Sequence, residues 1–162
     1  MLKFFHLFRQ YFLGLSLAGL LAFALQELPY IIMPMIKLTS NPIMNLPNEL
    51  PWIEKAQGII GTLTMLLLML VVRDDVRLFP ISTSSGRVFF ALTILMLLLN
   101  YAGWTLYFLG HQYGPLIVIA QFAAVPLYYL FFGLWSRNYP LAASAAVFFI
   151  IHTANGILNF MV

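Results

Sequence analysis

Cysteine is absent from the 162 residues, which excludes disulfide bonds, thiolate nucleophiles and cysteine-based metal centres. Charge is nearly as scarce. Only 8% of residues are Asp, Glu, Lys or Arg, against about 25% in an ordinary soluble domain. So few charges cannot furnish a water-facing surface, and a soluble globular domain, a disordered chain and a secreted disulfide scaffold are excluded together. Eight Lys and Arg against five Asp and Glu leave a small, scattered positive surplus, so nucleic acid is not an expected partner. Apolar residues take the space instead, at 62% of the chain, enough for five membrane-crossing helices at ~20 residues each.

Five apolar stretches are bounded by polar or Pro/Gly-rich punctuation. They run from about Tyr11 to Ile36, Trp52 to Val72, Val88 to Leu109, Tyr113 to Trp135 and Leu141 to Val162. The expected fold is therefore all-α, a single integral membrane domain of five transmembrane helices. Ala22-Phe23-Ala24 resembles a signal-peptide cleavage site, but apolar character resumes beyond Glu27, which favours one long uncleaved span. Before it, Lys3, His6 and Gln10 share one helical side with Phe4 and Phe8 turned away, the pattern of a short interfacial helix.

Basic residues set the expected orientation. Lys3, Arg9, Arg73, Arg77, Arg87 and Arg137 fall on one side and Lys37 and Lys55 on the other. This places the N-terminus in the cytoplasm and the C-terminus outside, in a cytoplasmic membrane. Asn41 through Pro51 forms a Pro-rich outer loop, either a rigid connector or a lid. Ser82 through Arg87 lacks the lysine and spacing of a phosphate-binding loop, and its serines are better placed as helix caps.

Few polar groups lie inside the spans. Glu27 is the only acid away from the span ends, and Pro29 and Pro34 follow it. Asn100, Gly103, Trp104 and Tyr107 share one face of the third span. Gln121, Ala124 and Tyr128 share a face of the fourth, and His152, Asn155 and Asn159 a face of the fifth. At a rise of ~1.5 Å per residue, Asn100, Gln121 and His152 lie roughly 12–15 Å below the outer boundary, and Glu27 somewhat shallower. A common depth on four helices predicts an outward-opening polar pocket walled by Trp104, Tyr107 and Tyr128. Each amide serves equally well as interhelical hydrogen-bond glue. Small residues such as Gly14, Ala18 and Ala22, or Gly58 and Thr62, suit helix contacts.

No metal, cofactor or catalytic residue is assigned. His6, His111 and His152 fall at different depths, against a three-histidine zinc centre. No HExxH, Ser/His/Asp order or dinucleotide glycine fingerprint occurs.

Leu99-Asn100-Tyr101-Ala102-Gly103-Trp104 and Ala154-Asn155-Gly156-Ile157-Leu158-Asn159, on a five-span order with a long first outer loop, resemble the Asn/Trp and terminal Asn patterns of the translocator protein family. That family's Trp/Pro-rich first-loop signature is not reproduced by Asn41 through Trp52. The resemblance is one of architecture, to small membrane receptors.

The expected function is binding of a small amphipathic or aromatic ligand at Glu27, Asn100, Trp104, Tyr107, Gln121, Tyr128, His152, Asn155 and Asn159. Two alternatives stand beside it. One is a non-catalytic accessory subunit whose polar stripes meet a membrane protein partner or a second copy. The other is a membrane-embedded isomerase or hydrolase using Glu27 with His152. The lipid bilayer is the expected surroundings in every case.

Overall fold

The computed structural model describes residues 2–38, 40–46, 50–74 and 81–161. Arg77 and Asp75 of the second loop, residues 47–49 of the first, and Val162 lie outside the described residues. Five helices form the body: α1 (Leu17–Ile32), α2 (Pro51–Leu70), α3 (Ser84–Phe108), α4 (Gly114–Trp135) and α5 (Tyr139–Phe160). From α2 to α5 each is long and apolar enough to cross a membrane.

The N-terminal segment departs from the expected helix. Leu2–Phe8 (β1) and Tyr11–Leu15 (β2) form an antiparallel hairpin, and Val71–Arg73 (β3) pairs with β2 at the end of α2. Helical periodicity therefore misreads this stretch. Its Phe and Leu residues suit a pleated strand as well as a helix, and β3 supplies a pairing partner some sixty positions away in sequence, Tyr11 lying opposite Arg73. The first helix consequently starts at Leu17 rather than near Tyr11. Ser16 caps it, its Oγ accepting from the Gly19 amide at 3.0 Å, while the Ser16 amide donates to the Met69 carbonyl at 2.8 Å. With 16 residues, α1 is about 24 Å long. A short 3₁₀ turn, Met33–Met35, continues it.

Helix α4 is the centre of the bundle. Some 67% of its apolar window is buried, against 22% for α2 and α3 and 39% for α5. Its Val125, Tyr129 and Phe132 join Leu68, Leu141, Ala145 and Phe148 in the larger core cluster. The outer faces of the other helices carry exposed Ile59, Leu63, Leu98 and Ile150. A polar backbone satisfied within helices and an apolar exterior are what a hydrocarbon surrounding requires.

Prolines inside two helices have visible consequences. Pro29 has no N–H to donate to the Leu25 carbonyl one turn earlier. The Tyr101 hydroxyl of α3 donates to that carbonyl at 2.6 Å instead. In α4, Val118–Ala123 winds as a π-helix before Pro126, with the Ala124 amide bonded to the Ile119 carbonyl. Asn100 Nδ2 of α3 donates to the Ala120 carbonyl in this wide turn at 2.8 Å. Contact is close here because Gly103 faces Ala120: a Cβ on Gly103 would lie 2.2 Å from the Ala120 Cβ.

Candidate functional site

The polar residues singled out in the sequence divide between an open cleft and two supporting layers. The cleft, of about 290 Å³, lies between α1, α2 and α5, with Val125 of α4 behind it. From α1 come Gln26, Glu27 and Tyr30, from α2 Gln57, Gly58, Gly61, Thr62 and Met65, and from α5 Phe148 and His152. Glycine makes the room. A Cβ on Gly58 would meet nothing within 4 Å, so this residue opens space instead of packing a helix, contrary to the expected Gly58/Thr62 contact stripe. One turn deeper, a Cβ on Gly61 would press to 3.3 Å on the Phe148 ring.

The carboxylate and the imidazole singled out in the sequence thus line one cleft from opposite ends of the chain. Glu27 is half-buried and receives the Tyr129 hydroxyl at 3.5 Å. Among the described residues it has no ion-pair partner. His152 is held between Phe122 and Phe148, ring centroids 4.7 and 4.8 Å away. Its ring lies against the Gln121 backbone, and its Nδ1 is buried with no hydrogen-bond partner. Gln26, 1% exposed, accepts from Tyr129 at 2.5 Å through Oε1, while its Nε2 has no partner. A buried amide or imidazole left unbonded at a cavity wall is costly unless water or a ligand completes it.

Asn155 and Asn159 stand one layer behind. Asn155 Nδ2 donates to Gln57 Oε1 at 2.8 Å, joining α5 to α2 and fixing the Gln57 amide at the cleft wall. Asn159 Nδ2 in turn donates to the Asn155 carbonyl and side-chain oxygen, each at 2.9 Å. Asn100 and Gln121 are buried between α3 and α4. Asn100 Oδ1 and both polar atoms of the Gln121 amide lack partners, so interhelical hydrogen-bond glue accounts for half of the Asn100 amide and for neither end of the Gln121 amide. The Tyr30 side chain, at the cleft, lies toward Asn100 and Trp104 and links the two regions.

The structure does not bring Trp104, Tyr107 and Tyr128 to the cleft wall. Trp104 packs edge-on to Tyr30 at 4.9 Å and stacks on Phe108 at 5.5 Å, inside an aromatic cluster with Met33, Ile117 and Phe122. Tyr107 is fully buried. Its hydroxyl donates to Asn41 Oδ1 at 2.7 Å and accepts from the Ile43 amide at 3.2 Å, fastening the first loop to the end of α3. Leu38, Ile43 and Leu46 pack on the same cluster. Tyr128 donates to the Ala22 carbonyl at 2.9 Å and borders a separate apolar cleft of about 100 Å³ between α1, α3 and α4. Equal depth did not imply a shared direction.

Gln26, Tyr30 and Gln57 are cleft residues that the sequence analysis does not single out, and Thr62 is one it assigns to a helix contact. A signal for two of them existed: Gln57-Gly58 and Gly61-Thr62 repeat a polar and a small residue one helical turn apart, which marks a wettable groove as readily as a contact seam. Among the described residues, no group of three or more His, Asp or Glu is gathered for a metal ion.

Comparison with known proteins adds no assignment: no family model matches the chain, and no curated protein or solved structure shows significant similarity to it.

Proposed function

We propose that the protein is a five-span protein of the cytoplasmic membrane that binds a small amphipathic or aromatic molecule in the outer cleft, with its N-terminus inside and its C-terminus outside. A fifth span is consistent with lengths: about 24 Å of α1 and about 6 Å of the 3₁₀ turn together approach the ~30 Å hydrocarbon core. The orientation draws support from the basic residues. Lys3, Arg9 and Arg73 sit on or beside the sheet, Arg87 in the first turn of α3, and Arg137 between α4 and α5. All belong to the end of the bundle that the positive-inside rule assigns to the cytoplasm.

One observation carries the binding role. Glu27, which has no ion-pair partner among the described residues, lines one cavity with His152 and Gln26, whose Nδ1 and Nε2 are buried without a hydrogen-bond partner. Each is expensive in a bundle that must satisfy its own polar groups. Their convergence on open space is the arrangement of a small-molecule site, where a few polar groups orient a ligand within apolar walls. Tyr30, Met65, Val125 and Phe148 supply those walls.

The test is mass spectrometry of small molecules retained by the purified protein, alongside thermal stabilisation by candidate compounds. Wild type should retain or respond to compounds that Gly58→Leu, with the cleft filled, does not. Identical retention and identical stabilisation in both would refute the proposal.

A second reading, the accessory subunit, is favoured by β1. Every residue of Leu2–Phe8 is exposed, including Phe4, Phe5 and Phe8, and β1 is an edge strand of the sheet. A free edge of this kind is suited to pairing with another chain. Stoichiometric co-purification of a partner lost on deleting β1 would favour it. Catalytic turnover that dies with Glu27→Gln or His152→Ala, while binding persists, would instead mark the isomerase or hydrolase.

A further inference from the structure

We infer that the molecule this cleft accepts is a small organic cation, paired with Glu27 and flanked by aromatic wall residues. The inference rests on the binding role proposed for the cleft and adds the charge of its occupant.

The reasoning starts from the acid. Glu27 is the only carboxylate in the helices away from their first turns, Glu54 lying in the first turn of α2, and an ionised carboxylate at membrane depth needs a positive partner or a proton. Its protein contact is a neutral phenol, Tyr129, at 3.5 Å. Among the described residues no lysine or arginine lines the cleft. Lys55 on α2 is exposed and one turn outward from Gly58. His152 is stacked on Phe148 and tilted against Phe122 and forms no ion pair among the described residues. The protein therefore sets a carboxylate beside open space and leaves its match, a proton or a cation, to come from elsewhere.

The rest of the wall suits the same charge. Tyr30 and Phe148 border the cavity, and aromatic faces attract cations, the more so away from water. Gln57 Oε1, already fixed by Asn155 at 2.8 Å, retains a second lone pair. An anion would meet the carboxylate with nothing positive to hold it. A neutral ligand would leave the carboxylate to be matched by a proton alone.

Three probes of one size separate the cases: 3-phenylpropylammonium, neutral 3-phenylpropanol and anionic phenylacetate, each titrated against the full chain in lipid nanodiscs by calorimetry. The cation should bind at least about tenfold more tightly than the alcohol, and phenylacetate least. Glu27→Gln should cut cation affinity by about tenfold or more and leave the alcohol unchanged, whereas Glu27→Asp should keep the preference. An unliganded melting temperature equal to wild type in each variant excludes a folding defect. If the alcohol or the anion binds as tightly as the cation, or if Glu27→Gln leaves cation affinity intact, the inference is overturned while the cleft keeps its binding role. If no probe binds and Gly58→Leu changes nothing, both fall.

Discussion

Replacing Tyr101 by Phe removes one oxygen and tests how this bundle tolerates a proline in its shortest helix. Pro29 cannot donate to the Leu25 carbonyl, and the Tyr101 hydroxyl occupies that acceptor at 2.6 Å. Interhelical hydrogen bonds in membrane bundles average about 0.6 kcal/mol and reach about 1.7 kcal/mol. This one belongs near the upper figure, because the carbonyl it serves has no helical donor and hydrocarbon offers none in its place. We expect Tyr101→Phe to cost about 1.5 kcal/mol. In a Pro29→Ala background the new amide reaches Leu25 from within α1, so the same change should cost about 0.5 kcal/mol or less. Reversible unfolding in mixed micelles, followed by circular dichroism for the four members of the cycle, measures the coupling. An equal cost of Tyr101→Phe in both backgrounds would refute the compensation.

Three further outcomes are expected. Gly103→Val should destabilise the fold by about 1–3 kcal/mol or shift α3 from α4, since a Cβ there would sit 2.2 Å from that of Ala120; a melting curve matching wild type would contradict the close approach. Asn155→Leu should weaken cleft binding without touching the ligand, because Gln57 loses the donor that holds it at 2.8 Å; binding titrations in which Asn155→Leu equals wild type would show that Gln57 needs no such support. Thr64→Val and Ser144→Ala should be strongly non-additive in stability, as their hydroxyls lie 2.8 Å apart between α2 and α5; additive losses would dissolve the pair.

The apolar runs made α2 to α5 legible because each must cover some 30 Å without water, and composition alone records that demand. The N-terminal fifteen residues were not legible in the same way. Their partner strand, Val71–Arg73, begins directly after α2, and no local period reports a pairing so distant in sequence. Glu27 and His152, picked out by depth along the helices, line one cleft. Depth could not tell facing from non-facing residues around the axis of each helix. Trp104 and Tyr107 therefore fell with the cleft in the sequence reading, although they serve the first loop and its aromatic cluster. Gln57 was hidden for a different reason: it lies near the start of α2, where a polar side chain is unremarkable until its bond to Asn155 is seen.

The central claim is that a wet opening exists between α1 and α2 on the outer side, and the absence of cysteine lets a single introduced thiol report on it. Thr62→Cys lies at the cleft, and Leu63→Cys, one residue on, faces outward from the bundle. In sealed proteoliposomes, a membrane-impermeant thiosulfonate added outside should modify Thr62→Cys rapidly and Leu63→Cys slowly, with Gly58→Leu abolishing the difference. Thr62→Cys reacting no faster than Leu63→Cys would contradict the account.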